Sequence, residues 1–195
     1  MLLKDCTQIY TLGPQGTFSD EATQKVLKTG VRVTYTGTFS EALGKVTEDV
    51  GSAAVVPVEN SVAGTVAQVQ DSLVRNDLII LGEINLLIEY SLLANAKLDQ
   101  IEVCFAHPQA LEQSSEFITN NLGKAQNHFT RSNVDSGIRF LEAVDSGNKP
   151  VAAIVPATFA QENSKWRKAS AIQDYQNNTT RFLVVRSRKS DEQLD

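Results

Sequence analysis

Residues that build metal sites and crosslinks are scarce in this chain: two cysteines, two histidines, one methionine and one tryptophan in 195 residues. Cys6 and Cys104 stand far apart and neither belongs to a CxxC pair. With only His107 and His128 to join them, the pattern argues against a disulfide framework and against structural zinc, and no metal is expected. Both cysteines read as small buried hydrophobes. No apolar run approaches the length of a membrane span, and Lys4 and Asp5 stand where a signal peptide would need its apolar core. The chain is therefore expected in the cytoplasm and off the membrane. Positive charge is also short: 18 Lys and Arg against 23 Asp and Glu give a net charge of -5. No basic stretch opposes that balance, which argues against nucleic-acid and anionic-membrane partners. A small anion held locally is compatible with it, and a homodimer is the assembly left open.

What is present is the composition of an ordinary globular protein, 42% hydrophobic and 21% charged, enough for one large or two small domains. The stretch VVPVENSVAGTV, residues 55–66, is the most informative. Its apolar run AAVVPV has the β-branched content of a buried strand, stops at Glu59-Asn60-Ser61, and is followed by Val62, Val66, Val69 and Leu73 at helical spacing. That predicts strand, polar turn, helix. Asn60 and Ser61 then either cap the helix or face a ligand at the carboxyl end of the strand.

Around this stretch the chain alternates. Gln8 to Leu12 reads as a strand running into Gly13-Pro14-Gln15-Gly16, with Ser19 capping a helix to about Lys28. Val31, Val33 and Tyr35 alternate as a strand, and Thr38 with Glu41 forms a capping box for a helix carrying Phe39, Ala42, Leu43, Val46 and Val50. A long extended segment from Leu78 to about Leu93 leads to a second lobe. There a strand from Ile101 to Ala106 precedes a helix opened by Pro108 and lined by Leu111, Ser114, Ile118 and Leu122. Strand His128 to Arg131, helix Val134 to Val144, a turn at Gly147, Asn148 and Pro150, strand Val151 to Val155 and a short helix after Pro156 follow. Strands at Lys168 to Asp174 and Thr180 to Arg186 end the pattern, and a charged tail begins at Ser187. The expected fold is α/β, two similar lobes with mainly parallel sheets. Lobe 1 comprises 1–84 and 175–195 and lobe 2 comprises 85–174, a clamshell with its ligand cleft between the lobes.

Four segments, LGPQGTFSDEA, VPVENSVAGTV, AHPQALEQS and NNTTRFLVV, together resemble the prephenate dehydratase family across essentially the whole chain. The resemblance implies a type II periplasmic-binding-protein-like fold and conversion of prephenate to phenylpyruvate, water and carbon dioxide, with no cofactor because aromatisation drives the reaction. It implies Thr180 as the catalytic hydroxyl, with Thr17, Asn60, Ser61, Gln109, Gln113, Arg181 and Phe182 contacting the small anionic substrate. The chain departs from the family pattern at Ala106, at Tyr90-Ser91 before Leu92-Leu93, at Asn133 and at Ser114. Arogenate dehydration, non-aromatising prephenate decarboxylation and a non-catalytic sensor are the alternatives those changes raise. His107 is expected to cap a helix or fill a wall, and Arg131 and Arg139 to be solvated. The resemblance leaves no room in this sequence for the regulatory domain that many family members carry, so allosteric inhibition by phenylalanine is not expected.

Overall fold

The computed structural model describes residues 3, 5–147 and 149–189. Asn148 of the predicted turn and the charged tail from residue 190 onward lie outside the described residues. The chain divides into two compact units, Met1–Leu87 with Thr179–Asp195, and Ile88–Asn178.

The first unit is a sheet with helices against it. Its strands are β1 (Gln8–Leu12), β2 (Arg32–Thr36), β3 (Ser52–Asn60), the two-residue β4 (Gly64–Thr65), β5 (Leu78–Leu87) and, returning from the far end of the chain, β11 (Thr179–Ser187). Their order is β2-β1-β3-β11-β5, with β4 hydrogen-bonded to β3. β1 pairs in parallel with β2 and β3, whereas β11 runs antiparallel to both of its neighbours. β3 is buried over its first seven residues, as its apolar run requires between two covered faces. Helices α1 (Phe18–Gln24), α2 (Phe39–Glu48) and α3 (Ala67–Arg75) supply the cover. Ala42, Leu43 and Val46 of α2 and Val69 of α3 pack on Ala54, Val56 and Val58 of β3 and on Leu183 and Val185 of β11.

Local chemistry differs from expectation at three points here. The cap of α1 is Thr17, not Ser19: the Thr17 hydroxyl accepts from Asp20 N at 3.3 Å and donates to Pro14 O at 3.0 Å. The Thr38 hydroxyl does cap α2 through Glu41 N, but the Glu41 carboxylate reaches back to Gly37 N. The third point matters most. β3 continues through Asn60 and turns back as β4, so α3 begins only at Ala67 and neither Asn60 nor Ser61 caps it.

The second unit holds the other sheet, β6 (Tyr90–Ala94), β7 (Val103–Ala106), β8 (Gln126–Phe129), β9 (Val151–Pro156) and β10 (Arg167–Ser170), in the order β10-β6-β9-β7-β8. β7 is parallel to β8 and β9, and β6 is antiparallel to β9 and β10. The predicted extended segment to Leu93 is thus two strands in two sheets. The helix expected after Pro108 is likewise two, α4 (Pro108–Glu112) and α5 (Ser115–Leu122), followed by α6 (Asn133–Asp145) and α7 (Ala157–Glu162). Phe140 of α6 lies at the centre of this core with Leu93, Val103, Val151, Ala153 and Val155. Gly137 lets α7 come close to α6: a Cβ there would collide with the Phe159 ring. Burial pushes the Cys104 thiol up to about 12, as befits an inert core residue, while Cys6 is only half-buried. Among the described residues no helix is long and apolar enough to cross a membrane, and no three His, Cys, Asp or Glu side chains gather as a metal site.

Candidate active site

The end of β3 and the start of β11 face each other in antiparallel register, Thr180 opposite Asn60 and Arg181 opposite Glu59. Residues 120 apart in sequence therefore share one hydrogen bond: Asn60 Nδ2 donates to Thr180 Oγ1 at 2.8 Å. The amide is held in that orientation from its other end, because Asn60 Oδ1 accepts from Val62 N at 3.0 Å and Ala63 N at 2.8 Å in the tight turn before β4. Nδ2 also reaches Thr179 O at 3.4 Å. Next to it Ser61 N donates to Thr179 O and Thr179 N to Ser61 Oγ, both at 2.9 Å, so the two strand ends are tied at consecutive positions. Asn60 is 7% exposed and Thr180 8%, which keeps these bonds largely out of competition with water. With its oxygen accepting from a pinned amide, the Thr180 hydroxyl cannot donate toward Nδ2, and its proton is available to a different acceptor.

Successive residues of a strand point to opposite faces, so Arg181 cannot share the face of Thr180. Its guanidinium lies instead on Glu59 at 3.0 Å and Glu83 at 3.6 Å, on the neighbouring strands β3 and β5. These carboxylates raise its pKa further, chiefly through the Glu59 hydrogen bond. The structure thus assigns this guanidinium to an exposed pair of carboxylates within the sheet. Phe182 is buried in the core of the first unit, beyond a register shift after Arg181. Thr17 sits in the loop at the carboxyl end of β1, with its hydroxyl engaged in the cap of α1. That loop is shaped by the buried Asp20, whose carboxylate accepts from Gly16 N and from the Tyr35 hydroxyl, both at 2.8 Å.

In the second unit His107 caps α4, its Nδ1 accepting from Gln109 N, and burial lowers its pKa. Gln109 is exposed in the first turn of α4. Gln113 ends that helix and is buried, with Oε1 accepting from Asn178 Nδ2 at 2.9 Å. Asp174 supplies the cap that α5 lacks from its own Ser114: its carboxylate accepts from Ser115 N, Ser115 Oγ and Glu116 N. Asn178, Asp174 and the neighbouring Gln173 did not stand out in the sequence. The Asn pair before Thr-Thr-Arg-Phe was the one available signal. Arg139 pairs with Asp135 one helical turn away and Arg131 is exposed, as expected of solvated side chains.

Residues 9–190 match the family described as Prephenate dehydratase. The chain belongs to that family. A bifunctional chorismate mutase/prephenate dehydratase of Neisseria gonorrhoeae is 34% identical over 179 residues, covering 91% of this chain and 49% of that protein. A prephenate dehydratase of Methanocaldococcus jannaschii is 32% identical over 182 residues, covering 91% of this chain and 63% of its own length. The crystal structure of a prephenate dehydratase from Arthrobacter aurescens in complex with L-Phe superposes with a TM-score of 0.79 at 28% identity, over 92% of this chain and 60% of that one. This chain therefore spans about half to two thirds of the length of these prephenate dehydratase relatives.

Proposed function

We propose that this chain is a carbon–oxygen lyase that converts prephenate to phenylpyruvate, water and carbon dioxide without a cofactor, acting in the cytoplasm. The bond between the ring and its carboxylate breaks, and the electron pair moves through the ring. The hydroxyl on the opposite ring carbon departs, taking up a proton to leave as water. Aromatisation supplies the driving force, so the protein has to bind the dianion, orient it and assist the departing oxygen. Thr180 is the residue for that last task. A hydroxyl donor directed at the leaving oxygen stabilises the negative charge developing there.

The observation that carries this reading is the orientation of Asn60. Its amide oxygen is occupied by two backbone N–H groups, so its NH2 end meets Thr180, whose proton is then left to be donated to another acceptor. Ser61 supports the same turn, and Gln109 and Gln113 are read as substrate contacts from the second unit. Incubation with prephenate and analysis of the product tests the proposal. Phenylpyruvate is expected; a dihydro acid that keeps the ring hydroxyl would assign a decarboxylase, and unchanged prephenate with measurable binding a sensor.

A further inference from the structure

Asp20 is a charged side chain only 5% exposed. Its carboxylate accepts three hydrogen bonds that arrive from three parts of the first unit: Gly16 N at 2.8 Å from the loop after β1, the Tyr35 hydroxyl at 2.8 Å from β2, and Gln24 Nε2 at 3.0 Å from the end of α1. Burial, and next the bond to Asp20, raises the Tyr35 pKa, so the phenol keeps its proton and stays a donor. Burying a carboxylate carries a desolvation cost that such bonds must offset. Its distinctive contribution is geometric, because a neutral amide oxygen of the same size cannot accept from three donors at once.

The bond to Gly16 lies where the loop leaves the sheet. β1 runs parallel to β2 and β3, and β11 runs antiparallel to β3, so residues 13–17 leave the same edge of the sheet that carries Asn60 and Thr180. Ligands of open α/β sheets gather at the carboxyl ends of strands. Gly16 has φ +85°, a backbone state that glycine adopts without strain, and its N–H meets Asp20. The Thr17 hydroxyl donates to Pro14 O at 3.0 Å and accepts from Asp20 N at 3.3 Å, so its one proton is engaged inside the loop. Whatever Thr17 offers a ligand is therefore set by the shape of the loop.

Resting on the dehydratase reading above, with Thr17 among its substrate residues, we infer that Asp20, braced by Tyr35, is a positioning residue that acts through Gly16 and Thr17 to hold this loop in its substrate-binding shape. Asp20 touches no reacting atom. A loosened loop has to be ordered as the substrate binds, and that ordering lowers affinity. Thr180 and Asn60 stand on other strands and keep their own hydrogen bond, so the effect falls on KM and not on kcat.

The test titrates phenylpyruvate calorimetrically into the whole chain and, separately, follows steady-state turnover of prephenate. Tyr35→Phe removes one donor and keeps the ring. It is expected to weaken phenylpyruvate binding and raise KM about three- to tenfold, with kcat within about twofold of native. Asp20→Asn turns an NH2 group toward donors and should exceed that loss; where circular dichroism shows that it does not fold, Tyr35→Phe decides. Tyr10→Phe is the control for a merely structural role: it removes the bond from Tyr10 to Asp49, just before β3, and should leave binding and KM unchanged. Native affinity and KM in Tyr35→Phe, a fall in kcat in place of the rise in KM, or an equal loss in Tyr10→Phe would overturn the inference and leave the Thr180 reaction standing. A native chain that binds phenylpyruvate yet leaves prephenate unchanged would sink the reaction, and the affinity of Tyr35→Phe would still decide the role of Asp20. Failure of the native chain to bind phenylpyruvate would overturn both.

Discussion

The two units carry polar clusters of opposite character. At the end of β3 the amide of Asn60 is satisfied at both ends, Ser61 and Thr179 exchange hydrogen bonds, and Thr180 is left to donate away from Asn60 Nδ2. In the second unit Gln113, Gln173 and Asn133 are each held by one end and open at the other. A closed network fixes a direction, which is what assistance to a leaving group needs. An open one leaves buried groups that only a further partner can complete. The contrast sets a satisfied hydrogen-bonded pair in the first unit against unmet buried polar atoms in the second.

The sharpest way to break that division is Thr180→Ala, which should lower kcat by about 10²- to 10⁴-fold with binding and fold retained. Steady-state kinetics and calorimetric binding check it, and near-normal turnover would remove Thr180 from the chemistry. Next in size is Gly137→Ala, whose new methyl would meet the Phe159 ring. It should destabilise the second unit by about 1–3 kcal/mol, read by denaturant melts, while leaving the Thr180–Asn60 geometry and hence kcat per folded molecule in place.

Arg181→Lys should change kcat/KM by less than about threefold, since exposed ion pairs contribute little and the side chain faces away from Thr180. A large loss would show that the guanidinium leaves Glu59 and Glu83 to meet substrate. Smallest is a pH effect at His107. Burial lowers its pKa, and its neutral Nδ1 caps α4, so the unfolded chain takes up the proton first as pH falls. The stability this contributes is complete above the ordinary histidine value of 6.5 and is lost as pH falls through it toward the folded pKa. Melting temperatures across that window should slope downward with acid, and His107→Ser, a cap that does not titrate, should flatten the slope.

Much of the fold was legible because apolar spacing reports which face of an element is buried. Ala42, Leu43 and Val46 of α2 and the run through β3 lie where their periods put them. Misreadings came where a period continued across a break. Val62, Val66 and Val69 keep helical spacing through the β3–β4 turn, and Leu111, Ser114, Ile118 and Leu122 keep it across the junction of α4 and α5. The pairing of Asn60 with Thr180 depends on the register of strands over a hundred residues apart, which no local pattern encodes; the family resemblance supplied those names. The orientation of Arg181 was legible all along, for a residue next to Thr180 in a strand must face the other way. Gln173 and Asp174 were not, since their roles arise only when the run 172–178 returns to Tyr90 and α5.

Asn60→Asp tests the central claim most directly. The carboxylate keeps one oxygen for Val62 N and Ala63 N, but its other oxygen can only accept, so Thr180 must turn its proton inward. With folding confirmed by circular dichroism, kcat for the aromatic product is expected to fall about 10²-fold or more while substrate affinity changes far less. Turnover within a few-fold of the native chain would contradict the account, because it would mean that the direction of the Thr180 proton is irrelevant to departure of the hydroxyl.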